Sequence, residues 1–316
     1  MPILSADKKN KKALYPAQKD RDRTNNDRKG ETAEITAATR VDSSFFVWKN
    51  VFIMNGREWI KKSWNGLLDL VYPPSLYCIS CGRIIDDSRI YSLCNECMEA
   101  ISWAAERTCG KCGRPLSDND PGSTCFGCSG RERTGHPFHF DKGHVCAGYG
   151  AAAQSVIFAL KYGGRSDIGD VLGEIMYDRM AAEYGRDHLK DLYDFVLPVP
   201  VHRDRKERRG YNHADLMAHG LAQRAGIVYE PDALIRIRVT APMKGLTPAR
   251  RSANIKGAFE VRKSRSGQFA GASVLLADDI FTTGATIDEA AKTLKESGAS
   301  RVDFVSFAAA GDMVNG

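Results

Sequence analysis

The apolar positions of the C-terminal half form short runs that alternate with amphipathic stretches. Runs of strand length lie at Phe195–Val201, Val274–Ala277 and Val302–Ala308. Stretches with helical spacing lie at Val156–Tyr162, Ala214–Ala225 and Ile287–Glu296. Strands that alternate with helices predict βαβ units. We therefore expect an α/β domain over residues 145–312, with a mostly parallel sheet flanked by helices.

The N-terminal region has a different pattern. Ile60, Trp64 and Leu68 recur at helical spacing, and the helix they predict ends at Pro73, so residues 44–74 are predicted to form an amphipathic helical segment. This helix would dock on the next domain or on a membrane surface. Residues 1–40 hold ten Lys/Arg against six Asp/Glu without apolar periodicity. Residues 1–43 are thus predicted to be a disordered basic tail, serving solubility or nucleic-acid binding.

The composition excludes several classes of protein. With 43% hydrophobic and 27% charged residues and a net charge of +6, the chain is typical of a globular protein. No apolar run is long enough for a membrane span, and the first residues lack the pattern of a signal peptide. We expect a cytoplasmic protein, in which disulfides do not persist. Its nine cysteines therefore need another explanation.

Eight of the nine cysteines form four C-x-x-C pairs within residues 75–130. Twelve residues separate the first pair from the second, and twelve separate the third from the fourth. A shift of 31 positions superposes the first half on the second, so that Gly82-Arg83 falls on Gly113-Arg114. This pattern indicates an internal duplication. The eight are Cys78, Cys81, Cys94, Cys97, Cys109, Cys112, Cys125 and Cys128.

These pairs predict a double zinc ribbon with two structural zinc ions. A tight turn directs two thiolates at one ion, and two such turns complete a tetrahedral shell. Metal binding then replaces the core that so small a segment lacks. A redox pair or an iron–sulfur cluster fits the duplicated spacing less well. The pairing of the turns and the partner of the ribbons stay open. Cys146 stands apart and is predicted to be a buried apolar residue.

The stretch that begins at Val274 predicts a phosphate site. The strand is followed by two acids and by a small-residue loop that opens a helix. Backbone N–H groups at such a helix start bind anions. Paired carboxylates would repel a phosphate but suit the diol of a ribose or a magnesium ion. The order favours a ribose 5-phosphate site over a plain helix cap. The predicted contacts are Asp278, Asp279, Thr282, Thr283, Gly284, Ala285 and Thr286.

These residues resemble the phosphoribosyl pyrophosphate motif of type I phosphoribosyltransferases, which has an apolar strand, two acids and a T-x-G-x-T-like loop. The wider chain, over about residues 60–310, resembles the ComF family, which joins a double zinc ribbon to such a domain. Further segments that carry the resemblance are Ala159–Arg165, Pro198–Arg203, Arg208–His213 and Arg251–Phe259. The resemblance implies a type I phosphoribosyltransferase-like fold.

The resemblance also implies a pyrophosphate subsite. Val201, His202 and Arg203 would face the pyrophosphate, and Lys161 and Arg209 would line the same cleft. Five cations occur between Arg203 and Arg209, and guanidinium groups match phosphate oxygens. A solvated helix face is the alternative interpretation of these charges. Residues 240–256 resemble the family's closing loop.

Two functions follow from the resemblance. In the first, the protein binds phosphoribosyl pyrophosphate and Mg²⁺ and transfers the phosphoribosyl group to an unknown nitrogen acceptor, with Asp278 and Asp279 as the catalytic pair. In the second, it is a competence or DNA-uptake factor that binds single-stranded DNA and has a protein partner, and the ribose-phosphate site binds or senses without catalysis. A metal-dependent scaffold with a degenerate site is a third hypothesis, which the intact acidic pair opposes.

Overall fold

The computed structural model describes residues 76–104, 107–202, 211–240 and 245–311. The predicted tail (1–43) and amphipathic segment (44–74) lie outside the described residues, and so do Arg203 and Arg209. No helix among the described residues is long and apolar enough to cross a membrane.

The strands of the described residues are β1 (Gly143–Gly148), β2 (Phe195–Pro198), β3 (Val228–Tyr229), β4 (Leu234–Arg236), β5 (Phe259–Val261), β6 (Ser273–Phe281) and β7 (Arg301–Ala309). Five of them form one parallel sheet in the order β1–β7–β6–β2–β3. A separate antiparallel pair joins β4 to β5. The predicted parallel sheet flanked by helices is confirmed.

The helices connect these strands and precede them. They are α1 (Asn95–Ala100), α2 (Phe126–Arg133), α3 (Ala151–Tyr162), α4 (Asp167–Tyr184), α5 (Leu189–Leu192), α6 (His213–Ala225), α7 (Pro248–Ile255) and α8 (Ala285–Glu296). Helix α7 occupies the second half of the stretch that resembles a closing loop.

The sheet separates two cores. Alternate residues of a strand face opposite sides, so Leu275 belongs to one core and Leu276 to the other. The first core contains α3, α4, α6 and the first ribbon (residues 76–104). The second contains α8 and the second ribbon (residues 107–133). The two halves of the duplication therefore pack into different cores.

Strand β6 continues to Phe281 rather than ending at Ala277, because Asp278 and Ile280 pair with Ser306 and Ala308 of β7. Backbone pairing does not require apolar side chains, so hydropathy alone ended the strand too early. Residues 131–147, which lead from the second ribbon into the sheet, contain the end of α2 and most of β1. The chain of the first ribbon also bridges to β1, between Trp103 and Ala147.

Candidate functional site

Two carboxylates lie near the carboxyl end of β6. Pro198 of β2 lies opposite Ala277, so the chain that follows β2 leaves the sheet beside Asp278. The side chain of Asp278 accepts a hydrogen bond from the N–H of Asp279 at 2.9 Å. Burial and the neighbouring Asp279 charge raise the pKa of Asp278 well above its ordinary value. This carboxyl therefore favours its protonated form more than an exposed aspartate does.

Lys161 reaches the same acids from the last turn of α3. Its ammonium group forms an ion pair with the carboxylate of Asp279, which is 9% exposed. The resemblance placed Lys161 in the ligand cleft, and the structure brings it to the acidic pair. Val201 and His202 lie in the partly buried chain that leaves β2 beside Asp278.

The loop between β6 and α8 has free backbone donors. Among the described residues, none of the N–H groups of Thr283, Gly284, Ala285 and Thr286 has an acceptor, and the first helical bond runs from Asp288 N–H to Gly284 O at 2.8 Å. Gly284 has a φ of 78°, and a Cβ there would lie 2.7 Å from the Phe138 ring. Glycine is required by both the conformation and the contact. The loop is thus suited to an anion.

The second ribbon contacts this loop directly. Arg114 is 5% exposed, and its Nη2 donates a hydrogen bond to Thr282 O at 2.8 Å. Its guanidinium carbon lies 5.4 Å from the centre of the Phe281 ring. Neither Arg114 nor Phe138 was predicted as a site residue. Arg83 follows the same C-x-x-C-G turn as Arg114. The cysteine motif therefore could not indicate that Arg114 contacts Thr282.

A cavity of about 610 Å³ lies between the second ribbon, the loop and α7. Its volume is in the range of small-molecule sites. Its lining includes Arg114, Phe126, Arg131, Arg251, Thr282 and Thr283. Among the described residues, the Arg251 side chain makes one hydrogen bond, from Nε to Leu246 O, and has no carboxylate partner. The cavity therefore combines aromatic and hydroxyl groups with guanidinium groups.

The eight predicted metal ligands form two Cys₄ clusters, one in each ribbon. In each cluster the four sulfur atoms lie within 4.8 Å of one another. The sulfurs of Cys81 and Cys94 are 3.8 Å apart, and so are those of Cys112 and Cys125. A zinc tetrahedron with bonds of about 2.3 Å has edges of about 3.8 Å, so both clusters fit zinc. The structure also settles the pairing, with the first two turns in one site and the last two in the other.

Cys146 and the three histidines His136, His139 and His144 are not part of these clusters. Cys146 is 3% exposed, which confirms that it is a buried apolar residue. His144 is buried against Glu183, and Nδ1 of His139 lies 2.9 Å from Asp288.

Family models and relatives agree with this architecture. A model described as a double zinc ribbon domain matches residues 67–129, and one described as a phosphoribosyl transferase domain matches residues 207–313. Competence protein F of Haemophilus influenzae is 29% identical over 66% of this chain and 87% of its own length. DNA utilization protein YhgH of Escherichia coli is 26% identical over 67% and 88%. Competence protein ComFC of Bacillus subtilis is 25% identical over 65% and 79%.

Solved structures similar to this chain include the allosteric regulatory enzyme of purine biosynthesis. It is 22% identical with a TM-score of 0.31, and the match covers 47% of this chain and 29% of that one. The chain thus matches less than a third of the length of that enzyme.

Proposed function

Because this chain joins a double zinc ribbon to a phosphoribosyltransferase domain, as the ComF family does, we propose that it binds phosphoribosyl pyrophosphate with Mg²⁺ and transfers the phosphoribosyl group to a nitrogen acceptor. One observation carries the proposal. Four backbone N–H groups, at Thr283–Thr286, have no acceptor among the described residues and follow shortly after the acidic pair of β6. A phosphate fits the N–H groups, and ribose hydroxyls fit the two carboxylates.

Each part of the substrate then has its contacts. Asp278 and Asp279 hold the ribose hydroxyls, and the loop from Thr282 to Thr286 holds the 5-phosphate. Lys161, Val201 and His202 face the pyrophosphate, together with Arg203 and Arg209. Carboxylate oxygens also suit Mg²⁺, which neutralises charge on the leaving group when it is bound. The acceptor occupies the cavity beside Thr282 and Thr283.

The reaction breaks the bond between the ribose anomeric carbon and the pyrophosphate oxygen. A bond from the acceptor nitrogen to that carbon forms, and the nitrogen loses a proton. The protein contributes by orienting the two reactants and by stabilising charge. In the free protein Lys161 is paired with Asp279. It exchanges this carboxylate for the pyrophosphate when the substrate binds.

Calorimetry with phosphoribosyl pyrophosphate and Mg²⁺ tests the proposal. We expect binding by the wild type and its loss in the double variant Asp278→Asn/Asp279→Asn. A wild-type protein that holds two zinc ions but binds no phosphoribosyl pyrophosphate would refute it. Pyrophosphate release with a panel of bases and amines then tests transfer and identifies the acceptor.

A specific surface supports single-stranded DNA binding as the second candidate. Phe158 and Tyr162 of α3 are 65% and 62% exposed, with ring centres 4.7 Å apart. Exposed aromatic rings stack on bases. Salt-sensitive binding of single-stranded DNA that Phe158→Ala weakens would support this function. Val228→Ala, at an exposed apolar residue of β3, is the control.

A further inference from the structure

We infer that Arg114 of the second zinc ribbon is a positioning residue that sets the backbone of the phosphate loop. The inference rests on the phosphate role proposed for Thr282–Thr286. It assigns the second ribbon a task in ligand binding.

The contact is well defined. Arg114 lies 168 positions before Thr282 in the chain, yet its Nη2 donates to the Thr282 carbonyl oxygen at 2.8 Å. Only 5% of the residue is exposed. The ring of Phe281 lies 5.4 Å from the guanidinium carbon and limits its movement. A charged donor shielded from water makes a strong hydrogen bond.

The geometry of the peptide unit links this bond to the phosphate donors. The carbonyl of Thr282 and the N–H of Thr283 belong to one planar trans peptide, so they point in opposite directions. Because Arg114 holds the carbonyl toward the second ribbon, the N–H of Thr283 is directed away from that ribbon. This N–H has no acceptor among the described residues. Arg114 thus determines the direction of one donor that the phosphate would use.

The loop is also held at Gly284. Gly284 adopts a φ of 78°, and its Cα packs so closely under Phe138 that a Cβ would lie 2.7 Å from the ring. Two residues of the loop, Thr282 and Gly284, are therefore held by the second ribbon and the chain that follows it. The direction of the loop donors is set before a ligand arrives, which reduces the ordering cost of binding.

The internal duplication supplies a matched control. Arg83 occupies the position of Arg114 in the first ribbon. Its side chain is 60% exposed and pairs with Glu96 of the same ribbon. Each of the two arginines follows a C-x-x-C-G metal turn. Arg114 contacts the phosphate loop, whereas Arg83 pairs within its own ribbon.

The test compares Arg114→Ala, Arg114→Lys and Arg83→Ala, with zinc content and phosphoribosyl pyrophosphate affinity measured for each. We expect Arg114→Ala to bind the ligand at least about tenfold more weakly, while two zinc ions per chain are retained. Arg114→Lys should recover part of the affinity, because an ammonium group can also donate to the carbonyl. Arg83→Ala should bind as the wild type does. Wild-type affinity in Arg114→Ala, or an equal loss in Arg83→Ala, would overturn the inference.

A second measurement does not require the ligand. The amide NMR signals of Thr283 and Gly284 should shift in Arg114→Ala and stay in place in Arg83→Ala. If the wild type fails to bind phosphoribosyl pyrophosphate, the proposed function fails, and these signals still decide whether Arg114 orients the loop. If Arg114→Ala does not fold, Arg114→Gln, which keeps a neutral donor, replaces it in both measurements. Unchanged loop signals in the folded variant would contradict the positioning role.

Discussion

Nη1 of Arg131 lies 3.0 Å from Oδ2 of Asp288, so an arginine of the second ribbon is paired with the first turn of α8. The other oxygen of this carboxylate accepts a hydrogen bond from the N–H of His139 at 2.6 Å. The Asp288 side chain is 11% exposed. One carboxylate therefore joins the second ribbon, the chain that follows it and the helix that starts at the phosphate loop.

Replacement of Asp288 by alanine should destabilise the protein. Its donors would lose an acceptor that is largely buried, and we expect a loss of about 1–2 kcal/mol. Denaturant unfolding followed by circular dichroism measures the change. Asp118→Ala is the control, because Asp118 is 98% exposed and pairs with Arg107 on the surface. An equal effect of the two substitutions would contradict the role of Asp288.

Two glycines of the duplicated motif separate steric from conformational effects. Gly82 and Gly113 both have a φ of 72°. A Cβ at Gly82 meets nothing within 4 Å, whereas a Cβ at Gly113 would lie 2.2 Å from Gly143 O of β1. Gly82→Ala should cost about 1–2 kcal/mol for the left-handed conformation alone. Gly113→Ala should lower the melting temperature further, because it pushes the second ribbon away from the sheet. Equal melting temperatures would rule out this packing.

The two zinc ions should leave the protein at different rates. In the first cluster Cys81 is exposed and Cys97 half-buried, whereas all four cysteines of the second cluster are buried. A chelator should therefore remove one zinc ion quickly and the other slowly. Release can be followed with a colorimetric zinc indicator, with Cys81→Ser and Cys112→Ser to identify the sites. A single rate for both ions would contradict the prediction.

Asp278 should limit stability at neutral pH. Its pKa is raised in the folded state by burial and by the Asp279 charge, so the folded protein binds this proton more tightly than the unfolded chain does. The stabilisation from protonation is complete below the unfolded pKa and is lost as the pH rises through the folded pKa. Asp278→Asn, which has no charge to bury, should raise the melting temperature at neutral pH, and the gain should disappear in acid.

The matched variant Asp279→Asn should behave differently. It removes the ion-pair partner of Lys161 along with the charge next to Asp278, so we expect no comparable gain in stability. Thermal unfolding from acidic to neutral pH measures both variants. Both should lose phosphoribosyl pyrophosphate binding. A lower melting temperature of Asp278→Asn at neutral pH would contradict the burial of charge.

Features with a local signal could be predicted from the sequence. The alternation of apolar runs with helical stretches predicted the parallel sheet and its helices. The spacing of the cysteines predicted the two metal clusters. The acids and the loop after Val274 were also evident, because strand, acids, loop and helix start are consecutive in the chain.

Contacts between distant segments could not be predicted. The bond from Arg114 to Thr282 depends on which face of the sheet the second ribbon packs against, and no periodicity encodes that choice. Arg83 and Arg114 are equivalent in the sequence but not in their surroundings. The end of β6 was not predicted because its last residues include two acids, which interrupt the apolar run. Backbone pairing with β7 continues the strand past them, and hydropathy does not reveal that pairing.

The bridge between Trp103 and Ala147 has a consequence for truncated forms of the protein. Strand β1 is the outermost strand on its side of the sheet, and the N–H groups of Ala104 and Gly148 bond across to Cys146 O and Ser102 O, each at 2.8 Å. This short stretch shields an edge that would otherwise recruit strands from other molecules. A truncated protein that lacks the residues up to Ala104 would expose that edge. We expect it to aggregate even if its sheet still folds.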